Sequence, residues 1–221
     1  MRRKYDLVVF DLDGTLLDTA DGIVNCLNFA LKEVGMETMP SQKIKQTIGN
    51  PFSKIVADNK MIDKEVLINI QSIYRDKYKT LGIKGSKRYT GIIEVLKYLQ
   101  ASGYKTAVAT LKVESGALAI LKAHDMDKYF DLIYGVDVNN TYSKADLVQK
   151  AMTTLNIPPN KTILVGDTIN DLQGADIAKV DFLAVTYGFG FSLQNLDLLN
   201  NKALIAHHPQ DIIKKLESVV S

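Results

Sequence analysis

Two aspartates one residue apart, Asp11 and Asp13, stand directly after an apolar run at residues 5–10, and Gly14 and Thr15 follow them. Alternate residues leaving a strand point the same way until the turn begins, so the two carboxylates share a side. They repel unless a cation or a shared proton compensates. A second acidic turn, residues 166–171, carries Asp167 and Asp171 behind the apolar run 162–165. Oxygen-only ligands without a neighbouring histidine or cysteine favour a hard ion, with Mg²⁺ and its retained waters the natural choice. Gly14 permits a tight turn and the close backbone approach of a phosphate, and Thr15 adds a hydroxyl donor. Lys144 follows Ser143, which reads as a helix N-cap, so the lysine falls in the first helical turn. A cation there opposes the helix dipole, and a bound phosphate reverses that cost. Thr110 ends another apolar run. Taken singly, these are signals that caps and solvated turns also produce.

The elements that carry these residues give them a common address. Residues 5–10, 104–110, 132–134, 162–166 and 182–185 read as strands, and residues 92–99, 113–123, 143–155, 170–178 and 211–220 as helices. Strands separated by helices of this length imply right-handed βαβ units and a parallel sheet, so the fold class is α/β. Ligands of an open α/β sheet bind beyond the carboxyl ends of its strands. Asp11, Asp13, Thr110, Lys144, Asp167 and Asp171 then meet at one edge of one sheet.

Between residues 18 and 81 no comparable buried strand occurs. Ile23, Leu27, Ala30, Leu31 and Val34 recur at helical spacing, and Gly35 follows as a stop. Ser41 is placed to cap a second helix, Pro51 to open a third, and Val66, Leu67, Ile70, Ile73 and Tyr74 mark a fourth. The expected organisation is an α/β core domain at 1–16 and 86–221 with a small all-helical domain at 17–85. The two crossings, at 16–19 and 81–87, are candidate hinges.

The composition excludes several classes. The chain has 221 residues, 46% hydrophobic and 24% charged, which suits a globular protein with a sizeable core. A formal net charge of +2 is too mild to argue for nucleic acid. No apolar run reaches membrane-spanning length, and the basic start Arg2, Arg3, Lys4 leads into a strand rather than a signal peptide. The single cysteine, Cys26, excludes an internal disulfide, fits a reducing compartment and so a cytoplasmic location, and reads as a small core residue. Arg75, Lys77, Lys79, Lys84, Lys87 and Arg88 read as a solvated basic face. His124, His207 and His208 read as surface or packing residues.

With these motifs in order, the sequence resembles the haloacid dehalogenase superfamily over nearly the whole chain. Residues 11–16 match its first motif, Thr110 its second, Lys144 its third and residues 166–171 its fourth. The helical insertion after the first motif resembles the cap of the first subclass. Residues 10–19, 48–51, 129–135 and 186–190 are similar to phosphoglycolate phosphatases. Leu111, Ala145 and residues 178–180, where many relatives have a glycine, depart from the family pattern. The resemblance implies a Rossmann-like parallel sheet with an inserted helical cap, and a two-step phosphoryl transfer. Asp11 would attack phosphorus to form an aspartyl-phosphate. Asp13, with its pKa tuned upward, would donate a proton to the leaving alcohol and later withdraw one from water. Mg²⁺ would be held by the Asp11 side chain, the Asp13 backbone carbonyl and Asp167, with Asp171 acting through water or from outside the ligand set. Thr110 and Lys144, with Gly14 and Thr15, would hold the phosphate. Asp18, Thr19, Asn50 and Lys54 are the candidate specificity residues of the cap. The expected partner is a small phosphorylated metabolite, handled by a monomer or homodimer. Alternatives are a β-phosphoglucomutase-like phosphomutase, a pyrophosphatase or nucleotidase, and a non-catalytic binding protein; Phe52 and Tyr187-Gly188 lean toward a hydrolase.

Overall fold

A computed structural model describes residues 3–57, 62–137, 141–199 and 203–219. Arg2 of the basic start and Val220 of the closing helix lie outside the described residues. In chain order the elements are β1 (Leu7–Phe10), β2 (Leu17–Asp18), α1 (Ala20–Glu33), α2 (Ser41–Lys45), α3 (Phe52–Ala57) and α4 (Lys64–Lys77). A π-helical turn, Tyr78–Gly82, then leads to β3 (Lys87–Arg88), α5 (Ile92–Ala101), β4 (Lys105–Val113), α6 (Glu114–Ala123) and β5 (Leu132–Val136). The remainder is α7 (Lys144–Leu155), β6 (Thr162–Gly166), α8 (Ile169–Ala178), β7 (Asp181–Val185), β8 (Leu204–Ala206) and α9 (Asp211–Ser218).

Six strands form a sheet in the order β5-β4-β1-β6-β7-β8, and every pairing in it is parallel. A parallel sheet is covered on both faces, which is why β1 is apolar throughout, β6 has Thr162 as its one polar residue, and both are buried at every position. The period of two still sorts their side chains. Val8 and Phe10 join a cluster with Leu27, Val95 and Ile212, whereas Leu7 and Val9 join one with Leu147, Val148 and Leu172 of α7 and α8. Asp11 continues the second set by alternation, so it leaves β1 on the face covered by α7 and α8. Phe10 stands level with Val108 of β4 and Val165 of β6, and the Asp11 N–H donates to the Val165 carbonyl at 2.9 Å. The three strand ends therefore finish at one height.

The four helices α1–α4 lie between β2 and β3, which pair with each other as an antiparallel ribbon, Leu17 opposite Arg88 and Asp18 opposite Lys87. β2 lies within the crossing at 16–19, and β3 meets the one at 81–87 at Lys87. Ile44, Ile55 and Ile70 of this helical block belong to the same buried cluster as Val8 and Phe10.

Several boundaries differ from expectation. The strand read as 104–110 runs from Lys105 to Val113, and α6 begins at Glu114, because β4 carries an irregularity between Thr110 and Val113 against β5. Pro40, not Ser41, holds the N-cap position of α2. The ribbon and β8 carry too few residues for a periodic signal. Lys179, within the 178–180 stretch, sits in the left-handed region at φ 59° as the C-cap of α8. Glycine occupies such a position without the Cβ penalty that lysine bears. Among the described residues no helix is long and apolar enough to cross a membrane.

Candidate active site

The β1–α1 connection turns immediately after Asp11. Gly14 takes φ 90°, and a Cβ on it would fall 2.2 Å from Asp167 Oδ2. Only glycine lets this turn press against the end of β6. Thr15, fully buried, donates from Oγ1 to Asp167 Oδ1 at 3.0 Å, so the hydroxyl expected on a phosphate is already spent on a carboxylate. The Phe189 N–H donates to Asp167 Oδ2 at 2.7 Å, and the Tyr187 hydroxyl donates to the Thr15 carbonyl at 3.0 Å. The segment after β7 therefore clamps the first turn and orients Asp167.

Asp171 is the third residue of α8. Its Oδ2 accepts from the Thr168 N–H at 3.0 Å and the Thr168 hydroxyl at 2.7 Å, which fixes the helix start. That leaves Oδ1 for the site. It is buried without a hydrogen bond of good geometry, 2.8 Å from Lys144 Nζ. Lys144 is the first residue of α7, whose Ser143–Asp146 capping box is intact. Its ammonium turns inward, 2.5 Å from Asp11 Oδ1 and 2.8 Å from the Ala109 carbonyl. Asp11 and Asp171 thus offset the unfavourable helix-dipole position. A Cβ on Gly174 would fall 2.5 Å from Lys144 Cγ, so the glycine of α8 makes room for the lysine stem.

Asp11, Asp167 and Asp171 are buried, and one oxygen of each lies within 4.8 Å of the others. When ionised, three carboxylates beside one ammonium leave two negative charges, the charge that one divalent cation cancels. Hard oxygen donors fit such an ion, and Asp171 Oδ1, which Lys144 contacts without a hydrogen bond of good geometry, keeps a lone pair for it. Burial pushes the Asp11 carboxyl up to about 7, with Lys144 opposing and Asp171 and Asp13 adding to the rise. Asp167 is raised well above the usual carboxylate range by burial, then by Asp171 and Asp11. For Lys144, burial works against the charge, but Asp11 and Asp171 outweigh it and hold the ammonium.

These shifts carry a pH dependence. A carboxyl whose folded pKa is raised binds more protons in the folded chain than in the unfolded one, so its contribution favours folding at low pH and is lost as pH rises from about 4 through about 7. We expect metal-free protein to lose melting temperature across that window. Added Mg²⁺ should raise the melting temperature more at pH 7.5 than at pH 5, because the ligands must be deprotonated to bind. Thermal scans with EDTA or Mg²⁺ at the two pH values measure both effects.

Asp13 is not part of the carboxylate trio. Both its oxygens accept from Lys112 Nζ, at 3.1 and 2.9 Å, with the two side chains 10% and 13% exposed. Lys112 also lies 4.2 Å from the Tyr78 ring centroid in the π-helical turn. Burial disfavours its charge, but Asp13, Tyr74 and Asp11 together outweigh burial, so the ammonium is held above the ordinary lysine range. Sequence reading missed Lys112, although alternation along a strand puts it on the side of Thr110.

A cavity of about 450 Å³ opens over these groups, with Asp11, Asp13, Thr110, Lys112, Lys144 and Asp171 among its lining. Thr110 is 2% exposed, and its Oγ1 accepts from the Lys112 N–H at 3.2 Å. Of the four candidate specificity residues, Asn50 lines the cavity and receives Asn170 Nδ2 at 3.3 Å. Lys54 is exposed and Thr19 fully buried, and Asp18 Oδ1 accepts from the Ala20 N–H at 3.1 Å; none of these three lines the cavity. Arg75 and Lys79, read as a solvated face, do line it. His124 and His207 bond instead to Ser86 and Thr186.

Residues 8–185 match the family model for haloacid dehalogenase-like hydrolases, and the chain belongs to that family. It is 34% identical to a probable phosphatase, IndB, of Dickeya dadantii, over 97% of this chain and 91% of that one. It is 32% identical to a phosphoglycolate phosphatase of Nitrosospira multiformis, over 82% and 83% of the two chains. The crystal structure of a predicted phosphatase from Clostridium acetobutylicum superposes with a TM-score of 0.89 at 30% identity, covering 97% of this chain and 99% of the other.

Proposed function

We propose that the protein is an Mg²⁺-dependent phosphatase that hydrolyses a small phosphomonoester through an aspartyl-phosphate on Asp11. The observation that carries this is the opening of Asp11, Asp13, Thr110 and Lys144 onto one cavity above a charge-matched carboxylate trio. Asp11 is the nucleophile, with Oδ1 held by Lys144 so that the carboxylate cannot swing away. Thr110 and Lys144 offer a hydroxyl and a charge to the phosphoryl oxygens, where charge must be stabilised. Asp13 protonates the leaving alcohol and then activates water. That role needs a proton on Asp13, and Lys112 lies where the incoming phosphate dianion competes for its ammonium. A bound Mg²⁺ would be held by Asp11, Asp167 and Asp171 and would offset charge on the nucleophile and the phosphate.

In this reading residues 1–16 and 86–221 perform the chemistry, and residues 17–85 form a cap that shields it from water. The buried free thiol of Cys26 supports a cytoplasmic setting. The first test is release of phosphate from 4-nitrophenyl phosphate with and without Mg²⁺. Wild-type protein inert with Mg²⁺ on a broad panel of phosphomonoesters would instead favour a binding protein. Lys112→Met should lower kcat about a hundredfold, the low end of general acid–base contributions, and leave the Mg²⁺ midpoint unchanged. Steady-state kinetics with a metal titration separate the two parameters.

A further inference from the structure

The catalytic groups occupy only one end of the cavity. Beyond them the helical block contributes Ile48, Phe52, Ile55 and Tyr74 to the lining, and β4 contributes Leu111 and Val113. Phe52 and Tyr74 pack with ring centroids 4.8 Å apart, and Tyr74 and Tyr78 with centroids 5.6 Å apart, so the wall is a continuous aromatic row. The volume, about 450 Å³, lies in the ~300–1,000 Å³ range of sites that enclose drug-sized ligands, more than a two-carbon acid fills.

The two cations deepest in the cavity, Lys144 and Lys112, are already committed. Lys144 holds Asp11 and Asp171, and Lys112 holds Asp13; Lys79, 3.1 Å from Asp76 in an exposed pair, keeps its charge in water, and Arg75 is engaged as well. A second acidic group on the alcohol side of a substrate would have to displace one of these partners or be buried unpaired, and an unpaired buried charge is costly. A flat uncharged ring meets no such obstacle and gains both apolar burial and ring–ring contact.

We propose that the substrate is a phosphomonoester whose alcohol carries a flat, uncharged, predominantly apolar ring, seated against Phe52 and Tyr74, and not a short acid such as 2-phosphoglycolate. This rests on the phosphatase reading above and narrows it.

The test compares esters of similar leaving-group reactivity, so that recognition and not chemistry is read: phenethyl phosphate, ethyl phosphate and 2-phosphoglycolate, each with Mg²⁺. The expected kcat/KM for phenethyl phosphate exceeds that for ethyl phosphate about thirtyfold, and that for 2-phosphoglycolate by at least as much. Phe52→Leu, which keeps the site apolar, should compress the phenethyl-to-ethyl ratio about threefold, and Tyr74→Leu should do the same. Turnover of 2-phosphoglycolate at or above phenethyl phosphate overturns the inference and leaves the phosphatase reading intact. Wild-type ratios decide the matter even if a variant fails to fold. Absence of phosphate release from every ester, 4-nitrophenyl phosphate included, overturns both.

Discussion

Asp11→Asn is expected to remove phosphatase activity, with kcat falling about 10⁴-fold or more, while the melting temperature of the metal-free protein rises. The first effect follows from the loss of the nucleophile, whose removal in covalent mechanisms costs on this order. The second follows from electrostatics. Asp11 is 4% exposed and shares its pocket with Asp167 and Asp171. Asparagine keeps the shape and an oxygen for Lys144 Nζ, yet removes one of three crowded negative charges. The Mg²⁺ midpoint should weaken because the ion loses a charged ligand. Phosphate-release assays, thermal scans in EDTA and a metal titration read the three outcomes. Residual activity near wild type would remove Asp11 from the nucleophile role.

Lys144→Met should move the metal-free protein the other way. Lys144 is 5% exposed and, among the described residues, is the ammonium that pairs with Asp11 and Asp171. Methionine preserves the apolar stem packed beside Gly174, so the change removes charge with little loss of volume. Breaking a buried ion pair from one side costs about 3–5 kcal/mol, and here the abandoned partners are already mutually repulsive. The destabilisation should be largest above pH 7 and shrink toward pH 5, since the carboxyls then take up protons. Excess Mg²⁺ should recover part of the stability, as the ion replaces the missing positive charge. Activity should still fall about 10²–10³-fold, the range for one lost transition-state donor. Urea titrations at pH 5 and 7.5, with and without Mg²⁺, measure the stability terms. Full activity in Lys144→Met would remove this lysine from phosphate binding.

The sheet and the chemistry-bearing strand ends were legible because burial on both faces leaves β1, and β6 after Thr162, with no polar interruption. Register was not legible. The extension of β4 to Val113 depends on pairing Thr110 with Gly135 and then Val113 with Val136. Gly135 allows this because a Cβ there would meet the Lys112 carbonyl at 2.5 Å. Alternation puts Lys112 on the side of Thr110, but no local pattern announces the approach of Gly135 that keeps the strand going that far. The carboxylates were legible through their spacing, but how they share partners was not. Thr15 looked like a phosphate donor from its place in the turn, whereas its hydroxyl serves Asp167 across 152 positions of chain. The contacts of Asp18 and Thr19 near the ribbon likewise depend on how α1 leaves β2, which sequence adjacency to Asp13 does not determine.

The short ribbon of β2 and β3 has a consequence for variation. Because Leu17 and Arg88 lie opposite each other, everything between them is, to the sheet, one closed loop. The entropy of closing a flexible loop grows only with the logarithm of its length, about 0.6 kcal/mol for each doubling. Insertions and deletions among α1–α4 therefore cost the sheet little, provided the buried contacts of Ile44 and Ile70 are replaced. The turn from Asp11 to Thr15 has no such latitude, since its backbone is pressed against Asp167. Over evolutionary time, substrate range can drift by remodelling the loop while the reacting aspartates stay where they are.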